Sequence, residues 1–126
     1  MGKSYFIMRI IIAGGRNYSD FINLRKVCDE IIELNGIENP EIVSGTAKGA
    51  DKMGEFYAKQ KGFDIKEFPA NWDKYGKSAG HIRNKQMAEY ADMLILFWDG
   101  VSRGSKNMLN QATENQLVVH VHKYSI

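Results

Sequence analysis

Cysteine is almost absent. Cys28 stands alone among 126 residues, which excludes an internal disulfide and fits a reducing, cytoplasmic setting. Long apolar runs are missing too. No stretch approaches the roughly 20 residues that a membrane-spanning helix needs, so no membrane partner is expected. The opening MGKSYFIMRIIIAGG pairs a lysine with an apolar stretch as a secretory leader does, yet it reads as a first strand whose removal would empty the sheet. Charge of one sign is scarce. The net value of +2 gives no bulk electrostatic reason to expect nucleic acid. Two standard phosphate signatures are also missing. GTAKGADK lacks the G-x-x-x-x-G-K-[ST] spacing and AGGRNYSD is not G-x-G-x-x-G, which argues against a P-loop NTPase and a standard dinucleotide dehydrogenase.

What is present is ordinary globular material, 44% hydrophobic and 25% charged, of a length that suits one domain over residues 1–126. Strand-like and helix-like patterns alternate. SYFIMRIIIA is a near-continuous apolar run, as in a central strand covered on both faces. From Asp20 the period changes, and Leu24, Val27, Cys28 and Ile31 form a helical stripe that stops near Asn35-Gly36. EIVSG predicts a second strand. Ala50, Met53, Gly54, Tyr57 and Ala58 mark a second helix ending at Gly62. FDIKEFPA predicts a third strand near an edge. The loop NWDKYGKSAG leads to a helix over residues 79–90, then DMLILFW forms the second strongly apolar strand. GVSRGS opens a last helix, and QLVVHVHKY closes as a fifth strand. Alternation of this kind implies α/β architecture, a parallel sheet with helices on both faces and right-handed crossovers. Placing the two most apolar strands side by side gives the order 3-2-1-4-5. Ligands bind beyond the carboxyl ends of such strands, where the winding reverses.

The loops delivered to that edge are GGRNYSD, SGTAKGAD, NWDKYGKSAGHIRN and WDGVSRGSK. They gather Arg16, Lys48, Lys74, Lys77, Arg83, Arg103 and Lys106, seven of the seventeen lysines and arginines. Glycine lets backbone N–H groups approach a ligand, and the helix starts behind the loops favour anions. The expectation is a phosphate site, with phosphate oxygens or a ribose near Gly14-Gly15 and Arg16 neutralising them; the alternative is a plain strand-to-helix turn. Asp51 is placed to accept from ribose hydroxyls or to favour its own helix dipole. Ser44 and Thr46 can donate to phosphate or cap locally. Trp72 and Tyr75 can stack on a base or cover the sheet end. Arg83 shares a helix face with Met87. Ser102 and Ser105 bracket Gly104, with Ser105 a candidate N-cap. Cys28 reads as core. His120 and His122 share a strand face without a third metal ligand, so no metal site is assigned, although a divalent ion accompanying a phosphate stays open. His81 reads as a helix-start residue or a weak acid–base candidate.

The segments GGR at 14–16, SGTAKGAD at 44–51, FPANW at 68–72, GKSAGHIRNKQM at 76–87 and WDGVSRGSKNM at 98–108 together resemble the SLOG superfamily. They are most similar to its small YspA-like branch related to YpsA. The resemblance implies a Rossmann-like three-layer fold and a site for nucleotides or nucleotide-derived ligands. By position, that site uses Gly14, Gly15, Arg16, Ser44, Gly45, Gly49, Asp51, Trp72, Arg83, Asn84, Gly100, Ser102, Gly104 and Ser105; Lys48 joins it as a loop cation. The wider superfamily includes the Lonely-guy phosphoribohydrolases and DNA-processing protein A. In the former, a glutamate is expected where Met108 stands. Cleaving an N-glycosidic bond builds positive charge on the ribose, which a carboxylate stabilises and a thioether does not. Catalysis would then fall to Asp51, Asp99, Arg83 or His81.

The expectation is therefore a nucleotide-binding sensor, carrier or sequestering protein. A phosphoribohydrolase-like enzyme is the alternative and a single-stranded nucleic-acid module the third reading. The resemblance also implies a homodimer or larger assembly, for which Met87, Tyr90 and Met108 suit either a contact between copies or the core.

Overall fold

The computed structural model describes residues 7–125; the part of the expected first strand over residues 4–6 lies outside them. The strands are β1 (Arg9–Gly14), β2 (Glu41–Ser44), β3 (Asp64–Glu67), β4 (Met93–Trp98) and β5 (Val118–Lys123). They form one parallel sheet in the order β3-β2-β1-β4-β5. The reversal of winding falls between β1 and β4, whose register pairs Ala13 with Leu96 and Gly14 with Phe97.

The apolar runs of β1 and β4 follow from burial on both faces. Ile10, Ile12, Ile95 and Phe97 pack against helices α1 (Phe21–Leu34) and α2 (Ala50–Lys61). Ile11, Ala13, Leu94 and Leu96 pack against α4 (Ala79–Tyr90) and α5 (Arg103–Glu114). Alternate residues of each strand thus feed two cores, and the sheet lies between two helix layers. The edge strands β3 and β5 are half exposed.

The helix ends have local causes. Asp20 caps α1 by accepting from the Asn23 N–H at 3.0 Å. Gly62 ends α2 in the left-handed conformation at φ +75°. Two details differ from the sequence reading. The loop after β3 contains a one-turn helix, α3 (Trp72–Tyr75), which Asn71 caps by accepting from the Lys74 N–H at 3.1 Å. The N-cap of α5 is Ser102, and Ser105 is a buried residue of its first turn. Met87 and Met108 are core residues, so they offer nothing to a second copy. Tyr90 is half buried, its hydroxyl donating to Glu41 beneath the Arg9 guanidinium. Cys28 is fully buried, and desolvation pushes its thiol pKa up. His122 stacks on Phe97. Among the described residues, no group of three or more His, Cys, Asp and Glu could hold a metal, and no helix is long and apolar enough to cross a membrane.

Candidate functional site

Beyond the carboxyl ends of β1 and β4 lies a cavity of about 550 Å³. Gly14, Gly15 and Arg16 line it from the end of β1, Asp51 from α2, and Arg83 and Asn84 from α4. The β4–α5 loop and the start of α5 add Asp99, Ser102, Gly104 and Ser105. Trp72 and His81 complete the rim. A second hollow of about 490 Å³ continues toward β2 and β3, lined by Gly45 and Lys48, and it shares Arg16, Trp72 and Arg83 with the first. Lys74, Tyr75, Arg103 and Lys106, also expected at this edge, line neither part, and of the remaining expected site residues one crevice unites all except Ser44, Gly49 and Gly100.

Those three have other occupations. The Ser44 hydroxyl donates to buried Glu55 at 2.6 Å and accepts the Thr46 N–H at 3.0 Å. Gly49 sits at φ +76°, where an added Cβ would lie 2.3 Å from the Gly15 carbonyl oxygen. Gly100, at φ +86°, turns the chain out of β4. The β1 glycines also answer to the protein itself. A Cβ on Gly14 would meet the Phe97 carbonyl oxygen at 2.1 Å, and one on Gly15 would meet the Tyr124 hydroxyl at 1.9 Å. The Gly15 N–H is already spent on the Phe97 carbonyl. What comes close to Gly14-Gly15 is thus neighbouring chain, so the expected reason for these glycines is replaced by packing.

Arg83 is held rather than free. Its Nε donates to the Asn84 side-chain oxygen at 3.0 Å, and Nη1 donates to the carbonyls of Gly45 and, at 3.5 Å, Phe68. Asn84 in turn donates to the Gly104 carbonyl at 3.3 Å and to Asn107 at 3.0 Å. Its amide is fully engaged, so Asn84 orients Arg83 and ties α4 to α5. Burial lowers the Arg83 pKa, with Asp51 opposing the shift and Arg16 adding to it; the group remains a cation.

Asp51 is buried at the floor, 5% exposed, and accepts the Ala47 N–H at 3.1 Å. Desolvation raises its pKa to about 6, with Glu55 contributing, against the Ala47 bond and the charges of Arg83 and Arg16. Gly45 leaves room for both the cation and the carboxyl: its Cβ would fall 2.6 Å from Arg83 Nη1 and 2.7 Å from Asp51 Oδ2. Asp99 behaves oppositely. It accepts the Ser102 and Val101 N–H groups, both at 2.8 Å, which lower its pKa and keep it ionised at the mouth.

The start of α5, like those of α2 and α4, has no side-chain cap on its first turn, so backbone donors and the positive end of the helix dipole are left toward the crevice. A Cβ on Gly104 would meet nothing within 4 Å. Met108 lies buried beneath. Arg16 is exposed opposite this turn and forms no ion pair among the described residues. Sequence reasoning missed Asn17, which lines the cavity and accepts from the Tyr124 hydroxyl at 2.7 Å. Its place beside Arg16 in GGRN was the available signal. It also left out Gly80, which lies on the wall together with the expected Lys77.

Residues 8–75 match the profile of the family described as YAcAr, the YspA, cpYpsA-related SLOG family. The chain belongs to that family. It is similar to the gene 61 protein of Mycobacterium phage D29, 34% identical over 110 residues covering 82% of this chain and 87% of that one. Among solved structures it is similar to DNA processing protein A from Streptococcus pneumoniae, with a TM-score of 0.70 and 23% identity. That likeness covers 96% of this chain but 52% of the other, so the chain spans about half the length of that protein and shares its fold. The family match ends at Tyr75, before α4 and α5. It therefore does not reach Arg83, Asn84 and Gly104.

Proposed function

We propose that the crevice binds a nucleotide or nucleotide-derived small molecule through its phosphate, the protein acting as sensor, carrier or sequestering partner. The observation that carries this reading is Gly104. A helical glycine costs about 0.5–1 kcal/mol against alanine, yet no protein atom stands where its side chain would be. The missing side chain keeps open the approach to uncapped amides. Arg83, fixed by Asn84, and unpaired Arg16 supply cationic donors around the same space. Each charge-assisted hydrogen bond to phosphate contributes roughly 1.5–3 kcal/mol. Family membership supports a nucleotide-related ligand, and pairing of copies remains part of the proposal by resemblance.

Calorimetry with nucleoside monophosphates, NAD and ADP-ribose tests the reading. Saturable binding that weakens in Arg16→Ala is expected, and no binding by any of them overturns it.

A second reading has one observation in its favour. A carboxyl on the floor with a pKa of about 6 is suited to acid–base work near neutrality, which allows N-glycosidic cleavage of such a ligand. Met108 weighs against it. Release of free base during incubation, abolished in Asp51→Asn, would favour the enzyme; unchanged ligand after prolonged incubation leaves the binding protein.

A further inference from the structure

A third hollow, of about 520 Å³, opens on the other side of the 15–19 turn, between the starts of α1 and α2. Its walls are apolar: Phe21, Met53 and Phe56 face it, with Lys52 at the rim. The Phe21 and Phe56 rings stand 5.1 Å apart and tilted by 60°, packed against each other, so a flat ligand lies across them and not between them. Phe56 is 53% exposed, a position on α2 that a polar residue would fill without loss to the core. Arg16 lines this slot and both parts of the crevice, and Asn17 lines the slot and the main cavity. The slot and the anion crevice are thus two sides of one turn.

We propose that the slot takes the nucleobase of the ligand whose phosphate lies in the crevice, with the Arg16 guanidinium between them. The inference rests on the phosphate reading above. A nucleotide presents a flat, weakly polar ring one sugar away from its phosphate, and the slot offers such a ring two phenyl groups and a thioether on two long helices. Lys52 at its rim pairs with Glu55 at 3.4 Å, and Arg16, which forms no ion pair among the described residues, favours an anionic ligand over a neutral apolar partner. Trp72, the other exposed aromatic at the site, is a lone ring on a one-turn helix, its ring lying over Gly80.

The test is calorimetric titration of the four ribonucleoside 5′-monophosphates and of ribose 5-phosphate into the wild type, Phe56→Ser and Trp72→Ala. Stacking on an aromatic side chain is lost on truncation at a cost of about fivefold or more in affinity. At least one nucleotide is expected to bind the wild type about tenfold more tightly than ribose 5-phosphate. Phe56→Ser should erase that advantage and leave ribose 5-phosphate affinity unchanged, while Trp72→Ala keeps most of it. An advantage that survives Phe56→Ser overturns the proposal, as does an advantage lost only in Trp72→Ala. A change of oligomeric mass in Phe56→Ser, measured by light scattering, would assign the slot to a second copy and also overturn it. Equal binding of nucleotide and ribose 5-phosphate by the wild type sinks this inference alone; binding of neither sinks the phosphate reading with it.

Discussion

The two walls of the crevice use glycine for opposite reasons. On the β1–β2 side, Gly14, Gly15 and Gly45, with Gly49 behind them, each sit where a Cβ would strike protein atoms within 3 Å. They let the chain pass close to Phe97, Tyr124, Arg83 and the 15–16 backbone. On the α5 side, Gly104 faces open space. The first wall is glycine-rich because of the fold, whereas at Gly104 no protein atom accounts for the missing side chain. A glycine-rich loop is therefore not one kind of evidence, and the proposed phosphate site rests on the second wall.

Breaking the first wall should have the largest effect. Gly14→Ala is expected to destabilise the protein by about 3 kcal/mol or more, since overlap and backbone strain each cost roughly 1–3 kcal/mol; the midpoint of urea unfolding measures it. A comparable midpoint in the variant would remove packing as the reason for this glycine.

Next comes the floor that both walls share. Asp51 has a pKa of about 6 in the folded protein against an ordinary 3.8, so the folded state holds its proton more tightly than the unfolded state. The favourable contribution is complete below about pH 3.8 and is lost as pH rises through about 6. Asp51→Asn keeps an acceptor for Ala47 and removes the charge. Relative to the wild type it should be unchanged near pH 4 and more stable at pH 7, by up to about 3 kcal/mol. Urea titrations at the two pH values give the comparison, and a variant less stable at pH 7 would contradict it.

Arg16→Ala sharpens the contrast from the other direction. The side chain is exposed and makes no hydrogen bond or ion pair among the described residues, so stability should not move. Nucleotide affinity should fall about tenfold or more, the equivalent of one charge-assisted hydrogen bond. Equal affinity by calorimetry would take Arg16 out of the site.

Much of the fold was legible because periodicity reports burial. The apolar runs of β1 and β4 announced two-sided coverage, and putting them together gave the strand order. Asp20 and Gly62 marked helix ends through chemistry that acts within a few residues. The short helix at Trp72–Tyr75 was hidden because four residues make too little pattern, and its cap, Asn71, looks like any loop asparagine. For the candidate site, the sequence brought to one edge the loops that border the crevice. It could not tell which glycines the chain itself needs, since Phe97 and Tyr124 lie far from Gly14 and Gly15 in sequence. Nor could it show that Asn84 would be used up in holding Arg83, because its partners Gly104 and Asn107 belong to another helix. The Phe21–Phe56 slot was invisible for the same reason: each ring alone reads as one more apolar residue on a helix stripe.

The smallest expected change in stability belongs to Gly104→Ala, and it gives the most direct test. Alanine should leave the urea midpoint unchanged or raise stability by up to about 1 kcal/mol. The same substitution should weaken calorimetric binding of AMP and ribose 5-phosphate at least tenfold, because its methyl group closes the approach to the α5 amides. Undiminished affinity for both in a stable Gly104→Ala protein would contradict the account.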